Sequence, residues 1–490
     1  MSATERRSHH QVTFAVLAVS VSAFALLQSL VVPVLAEIQA DLHTSQTTVT
    51  WVLTAYLLSA SVCTPIVGRV GDKLGKERML VIALVALAIG SLLDALASSI
   101  GLMIVGRVIQ GVGGGVLPLS FGIIRDEFPM KKVPSAVAAV ASLSAVGAGL
   151  GLVLAGPIVS ALDYHWLFWF PMIITAAAAV ATVAFVPESP VRTPGKISVL
   201  PALLLSAWLV ALLLALSQGS QWGWTSLAVL GLLVGAVILA VLWVWVESRS
   251  ASPLIDMRMM RLPAVWTTNL VALLVGFAMY ASFAFLPQLS QTPSAAGYGF
   301  GASVTESGLI LLPSSVTMFL AGMYSARAAR RIGPKAVVVT GSLIVALAMG
   351  MVAFAHAHPW QLVLANGVMG LGVGLIFACL SNLIVAAVPP EQTGVASGMN
   401  ANIRTVGGSI GAAVMATIVT ARVFTDGLPH ESGYTRGFAM LMVVMILCAA
   451  VALMIPPVAR RVIEEHLVGE PEHAELGMVA GGTLIGDKSE

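Results

Sequence analysis

Short polar interruptions divide this chain into fourteen apolar runs, each about as long as a helix must be to cross a bilayer. They fall at approximately 12–36, 48–67, 79–98, 101–123, 135–160, 166–187, 198–217, 225–246, 263–288, 305–326, 336–355, 359–388, 393–421 and 436–458. A spanning helix needs about 20 mostly apolar residues. It must also pair its own backbone polar groups, because lipid offers no partner. Of the 490 residues, 58% are hydrophobic and only 10% charged. A soluble domain carries roughly a quarter charged residues, so no water-facing surface could be built from this supply. The expected class is an all-α polytopic membrane protein. The first run is too long for a signal-peptide core of roughly 7–15 residues and reads as a retained span.

An even number of spans puts both termini on the same side, and the basic residues say which. Of 25 Lys and Arg, 21 fall in the termini and in alternate loops, including Arg6, Arg7, Arg69, Lys73, Lys131, Lys132, Arg192, Lys196, Arg258, Arg261 and Arg327. The opposite loops hold only Arg422 and Arg436. Positive loops stay in the cytoplasm, so both termini are expected there, in the cell membrane. The two remaining basic residues, Arg107 and Arg404, lie inside spans. Cys63, Cys379 and Cys448 all fall in apolar runs and read as packing residues, with no disulfide framework or metal site.

The chain repeats itself. RVIQGVGGGVLPLS at 107–120 aligns with NGVMGLGVGLIFACLS from Asn366, so that Gly111, Gly113 and Gly115 fall on Gly370, Gly372 and Gly374. Gly75 before Lys76 falls on Gly333 before Pro334 and Lys335. A twofold repeat with glycine-interrupted helices is the mark of a secondary transporter. The offset is too long for two six-span halves, and the spans at 198–246 fill the excess. The expected division is an N-terminal six-helix bundle at 1–190, two additional helices at 191–250, a C-terminal six-helix bundle at 251–460 and an acidic, aperiodic cytoplasmic tail at 461–490.

Between spans 2 and 3 the sequence reads GRVGDKLGKERM at 68–79. Gly68 and Gly75 allow helix ends to approach closely. Asp72, read as lying near the start of span 3, suits helix-terminal N–H groups. Lys76 and Arg78 read as anchors at the lipid headgroups. On these residues alone, the stretch is a topological anchor or something more.

Gly68, Asp72, Gly75 and Lys76 resemble the signature loop of the major facilitator superfamily, Gly-x-x-x-Asp-x-x-Gly-Arg-Lys-like. Arg107, Gln110, Gly111 and Gly113 resemble its second motif, and Gly147, Gly156 and Pro157 resemble part of its antiporter motif. WVLTAYLLSASVCTPIVGRVGD at 51–72 and ESRSASPLIDMRMMR at 247–261 are similar to stretches of the fourteen-helix drug:proton antiporter subfamily. The resemblance covers nearly the whole chain. It implies a major facilitator fold of two six-helix bundles plus two inserted helices. It also implies a latch of Gly68, Asp72, Gly75, Lys76 and Arg78, in which Asp72 contacts a helix end and basic residues of the other half during alternating access.

The chain departs from that subfamily in three places. Span 1 reads LLQSLVVPVLAE at 26–37, with no acid before Glu37 where an Asp is usual. The antiporter motif closes as GPIVSA at 156–161, and HWLFWF stands at 165–170 in place of Trp-Arg-Trp-x-Phe. Proton coupling therefore has no usual carboxylate. Among 23 acidic residues only Asp94 lies well inside a run, and all nine histidines sit in tails or at span edges. Asp94 and Arg107 should lie at similar depth, where a hairpin of spans 3 and 4 could pair them. Asp94 is either a displaced proton carrier tuned by Arg107, or an acid near the outer interface that is hydrated or structurally paired. Arg107 is placed beside the central cavity by the resemblance. Arg404 is its nearest analogue in the second half, as a cavity cation or as a packing group.

Gln28, Tyr56, Gln110, Asn400, Asn402 and Arg404 supply polar groups to the expected substrate cavity, and Tyr280, Phe283 and Phe285 supply aromatics. Such a cavity suits bulky amphipathic compounds. The leading reading is a secondary active exporter of hydrophobic or amphipathic small molecules (multidrug-type efflux, the kind that confers antibiotic resistance), driven by the proton gradient. The alternative is a dedicated exporter of one endogenous lipid or secondary metabolite with non-standard coupling. A membrane-embedded enzyme would need clustered acids, histidines or nucleophiles inside the spans, and the census argues against it. A primary pump would need a nucleotide loop, and no G-x-x-x-x-G-K-[ST] occurs. The expected partners are an amphipathic small-molecule substrate, protons and membrane lipid, without nucleic acid, metal or cofactor, for a chain acting as a monomer.

Overall fold

The computed structural model describes residues 3–31, 34–189, 198–250, 253–422 and 428–456. The tail expected at 461–490 and the linker residues Arg192 and Lys196 lie outside the described residues. Fourteen helices among the described residues are long and apolar enough to cross a membrane. They are α1 (Ala3–Leu30), α2 (Trp51–Leu74), α3 (Lys76–Ala95), α4 (Ile100–Glu127), α5 (Val133–Ala161), α6 (Trp166–Phe185) and α7 (Val199–Trp222). Then come α8 (Leu227–Arg249), α9 (Pro263–Gln291), α10 (Val304–Ile332), α11 (Pro334–Phe354), α12 (Pro359–Ala387), α13 (Thr393–Val419) and α14 (Glu431–Ala452).

The packing repeats along with the sequence. In the first set, α1 packs on α5 and α6, α2 on α4, and α3 on α4 and α6. In the second, α9 packs on α13 and α14, α10 on α12, and α11 on α12 and α14. The two sets meet where α2 packs on α13 and where α5 packs on α10. The repeat makes α2 the counterpart of α10 and α5 the counterpart of α13. The two seams are therefore the same contact built twice from different residues.

The inserted pair attaches to one seam only in part. Helix α7 packs on α8, on α2 and on α13. Its Leu205, Leu209 and Leu213 join Trp243 of α8 and Val395 and Met399 of α13 in one buried apolar cluster. The Thr54 and Ser217 hydroxyls lie 2.8 Å apart between α2 and α7. Helix α8 leaves Leu227, Val234, Val237 and Val241 exposed. A face of that kind is stable only against lipid.

Two departures from the hydropathy reading matter for the site. Helix α4 is not continuous: Gly111–Gly115 forms a 3₁₀ turn in its middle. The Ser59 hydroxyl donates to the Val108 carbonyl at 2.5 Å just before that break, a second donor on an acceptor that a backbone N–H at the break also uses. Helix α3 ends at Ala95 rather than near residue 98. Asp94 therefore sits in its last turn, at the end opposite the loop with Lys76. Between α2 and α3 the chain turns through Gly75, whose φ of 120° is a conformation that L side chains rarely adopt.

Candidate functional site: a latch and a buried polar chain

The end that carries Lys76, Lys131 and Arg258 is here termed the basic end. There, Asp72 lies in the last turns of α2, not at the start of α3. Its carboxylate accepts from the backbone N–H of Gly394 at 3.1 Å and of Val395 at 2.9 Å. These are unpaired first-turn groups of α13, where the helix dipole also favours an anion. The helix end expected to attract Asp72 is thus the far half's α13 and not its own neighbour. Gly68 brings the backbones together: a Cβ there would stand 2.6 Å from the Gly394 carbonyl oxygen.

Arg125, at the end of α4, completes the arrangement. Its guanidinium donates to the Val385 carbonyl in the last turn of α12 and to the Thr393 hydroxyl at 2.9 Å. The first half thus offers an anion to the start of α13 and a cation to the end of α12, each matched to the local dipole. Lys76 departs from its expected place at the headgroups. It is wholly buried, 2.5 Å from Asp126 and 3.8 Å from Asp72. Two carboxylates within reach compensate for its lost hydration. The basic partners of Asp72 accordingly come from its own half. Arg78 stays exposed and pairs with Glu188 at 2.9 Å, a surface contact of little energetic weight.

Toward the other end lies a second buried group. Asp94 is fully buried and accepts from the Gln110 amide at 2.8 Å; the same amide also reaches Ser91 at 3.2 Å. Arg107 donates to the Gln110 oxygen at 3.0 Å and places its Nε 3.5 Å from Asp94. The spans 3 and 4 hairpin does bring Asp94 and Arg107 together, with Gln110 as the bridge. Arg107 also lies over the Phe168 ring of α6, 5.2 Å from its centroid. One Asp94 oxygen and two Arg107 nitrogens keep no hydrogen-bond partner, so the pair is enclosed but loosely held. The hydrated alternative for Asp94 does not describe this arrangement.

From Arg107 a line of polar groups crosses to the other half. Buried Tyr56 on α2 lies in the electrostatic field of both Arg107 and Tyr280 of α9. Tyr280 is in turn the polar neighbour of Arg404 on α13. Asn400 donates to Asn269 at 2.9 Å, and Asn402 is buried. Of the expected cavity residues, Gln28, Tyr280 and Phe283 are half-buried, whereas Tyr56, Phe285 and Asn400 are buried. Gln110 is fully buried in the Asp94 group rather than on a cavity wall, because Asp94 takes up its amide. The cavity between α4, α12 and α13 measures about 10 Å³, barely room for a water. The halves are therefore closed on each other at this level.

The two antiporter-like glycines line helix contacts, whereas Pro157 is exposed. A Cβ at Gly147 would stand 2.5 Å from the Ser22 carbonyl of α1, and Gly156 faces Thr305 of α10. Cys63 is half-buried, and Cys379 and Cys448 are buried, all free.

Sequence reasoning missed Arg125, Asp126 and Glu247. Asp126 was detectable as an acid amid a basic loop. Glu247 accepts from the Ile255 N–H at 2.6 Å, while Arg69 donates to the Pro253 carbonyl at 3.1 Å. Together they tie the connection into α9 to the ends of α8 and α2. No spacing rule signals a carboxylate that serves a loop's backbone.

Two repeated helix sets, in contact through Asp72 at the start of α13 and through a buried polar line, define a two-bundle secondary carrier. The Major Facilitator Superfamily model matches residues 17–215, 197–411 and 268–476, and the chain belongs to that family. It is 28% identical over 415 residues to a "Tetracenomycin C resistance and export protein" of Streptomyces glaucescens, covering 84% of this chain and 76% of the relative. It is 29% identical over 421 residues to a "Multidrug resistance protein B homolog" of Mycobacterium tuberculosis, covering 82% and 76%. Among solved structures, the human organic anion transporter MFSD10 (TETRAN) superposes with a TM-score of 0.67 at 19% identity. That match covers 92% of this chain and all of the other, and it supports the fold alone. The fourteen spans and these relatives agree with the resemblance to fourteen-helix drug exporters. The family consists of transporters, not enzymes.

Proposed function

We propose that this protein exports hydrophobic or amphipathic small molecules by alternating access, driven by the proton gradient. The basic end faces the cytoplasm, as the distribution of Lys and Arg indicates. Residues 1–190 and 251–460 act as the two rocking bundles, with 191–250 as the inserted pair. The observation that carries the coupling is the enclosed Asp94–Gln110–Arg107 group. A charge inside a span is costly and usually functional. Asp94 sits at the end of α3 where the dipole disfavours an anion, and Arg107 is the cation paired with it. A proton arriving from outside neutralises Asp94 and releases Arg107 toward Tyr56 and the interhalf polar line. Asp72 leaves the start of α13 when the basic end opens, and returns when it closes.

Purified protein in vesicles, with pH gradient and membrane potential imposed separately, tests this against a panel of dyes and lipids. Asp94→Asn is expected to abolish export driven by the pH gradient while leaving substrate binding intact. Arg107→Ala should damage both, since breaking a buried pair costs about 3–5 kcal/mol, and its expression is checked first. Export by Asp94→Asn with an unchanged pH dependence would reject the coupling role. The relative whose printed name specifies a single compound favours a second reading, export of one endogenous product. A single transported compound from the panel would select that reading.

A further inference from the structure

The buried cations among the described residues have carboxylate partners, with one exception. Among the described residues the buried acidic, basic and histidine side chains are Asp72, Lys76, Asp94, Arg107, Glu247, His356 and Arg404. Lys76 has Asp72 and Asp126, Arg107 has Asp94, and His356 has Glu431 at 3.0 Å. Glu247 takes up a backbone N–H. Arg404 has no carboxylate partner among the described residues. It rests over the Phe377 ring, 4.3 Å from the centroid, with the Tyr280 hydroxyl as its hydrogen-bonding neighbour, and its Nε has no hydrogen-bond partner. A cation–π contact offsets far less than a buried guanidinium loses in hydration.

The surroundings of Arg404 say what would compensate it. It lines the small interhalf cavity together with Ser397 and Asn400, against an apolar wall that includes Leu117, Phe121 and Ile384. The Ser397 hydroxyl is also buried without a partner. Two unused hydrogen-bond donors thus converge on one cavity, a helical turn or two apart on α13. The walls come from both halves, so the space widens when they part. Thr393, Gly394 and Val395, the contacts of Arg125 and Asp72, lie on the same helix nearer the basic end. Release of the latch therefore opens this cavity from that end.

We infer that Arg404 and Ser397 form an anion-binding subsite that receives the acidic group of an amphipathic substrate entering from the basic end. The inference rests on the export reading and names its substrate class: an apolar body bearing one anionic group. The apolar wall takes the body, the guanidinium pairs with the anion, and Ser397 donates a further hydrogen bond. The substrate's charge supplies the counter-ion that Arg404 lacks among the described residues.

The test uses the full-length protein in lipid nanodiscs and two fluorescent probes with the same ring system, anilinonaphthalene sulfonate and uncharged phenylnaphthylamine. Empty nanodiscs supply the lipid background. Arg404→Gln is expected to weaken sulfonate binding about tenfold or more, the loss of one charged hydrogen-bonded contact, and to leave the neutral probe unchanged. Arg404→Lys should retain most of the sulfonate affinity. If Arg404→Gln does not assemble, Ser397→Ala replaces it, with a severalfold loss expected for the sulfonate alone. Equal effects on both probes, an unchanged sulfonate affinity in the variant, or no sulfonate binding by the wild type would overturn the assignment. Vesicle export of the neutral probe separates the two failures. If it persists, only the anion subsite falls; if neither probe is exported, the export reading falls as well.

Discussion

The two seams between the halves are counterparts in the repeat, yet they are built on different chemistry. The α2–α13 seam ends in charge: Asp72 on the first N–H groups of α13, with Arg125 reaching Val385 and Thr393 beside it. The α5–α10 seam runs on small residues along its length, with Gly322 facing Ser142, Gly149 facing Ser315 and Gly156 facing Thr305. At the position equivalent to Asp72, the second half carries exposed Arg330. The contact at the start of α5 is neutral, with Asn382 donating to the Pro134 carbonyl at 3.1 Å. Charged contacts at helix ends have a defined bonded state and a defined broken one. A stripe of small side chains allows two helices to slide or tilt while staying close. One seam is suited to latching and the other to rocking.

Substitutions should separate these roles by the size of their effects. Gly149→Leu has the largest expected consequence, because Ser315 occupies the space its side chain would need. Overpacking costs about 1–3 kcal/mol and would affect both end states, so vesicle export should be lost while protein remains in the membrane. Asp72→Asn comes next. It removes a charged acceptor from two N–H groups, about 1.5–3 kcal/mol, and transport should slow roughly tenfold with expression retained. Wild-type turnover in that variant would reduce the stretch to an anchor. Arg125→Gln should slow transport a few-fold, since its carbonyl contact is at the edge of the latch and one of its partners is a hydroxyl. Thr54→Val touches only the α2–α7 contact and should change export rates less than about twofold, in line with a contribution near 1 kcal/mol or below. A large effect there would mean that the inserted pair controls the latch seam.

Apolar run lengths carried the fourteen spans, because they follow from single residues facing lipid. The glycine register showed the repeat, and the pairings of α1–α6 recur in α9–α14. The Asp94–Arg107 pairing was legible too, since two opposite charges at matched depth in a hairpin have few other partners. What remained hidden depends on contacts distant in sequence. Nothing in GRVGDKLGKERM says that Lys76 turns inward to Asp126, or that Asp72 finds its N–H donors 322 residues away. The 3₁₀ break in α4 was hinted at by its glycines, but its register is set by Ser59, Thr64 and Val67 of α2 packing into the space.

The distinction between a latching and a rocking seam is tested most directly by distances measured in the same protein at both ends. Spin labels at Leu74 and Ala386 report across the latch, and labels at Ser160 and Leu309 report on the far end of the α5–α10 seam, with Cys63→Ala as background. Pulsed electron resonance in nanodiscs compares wild type with Asp72→Asn. The expected result is a Leu74–Ala386 population that shifts to longer distances in the variant while the Ser160–Leu309 distribution stays narrow. Unchanged distributions at both ends, or a joint lengthening of both, would contradict a charged latch acting on a small-residue pivot.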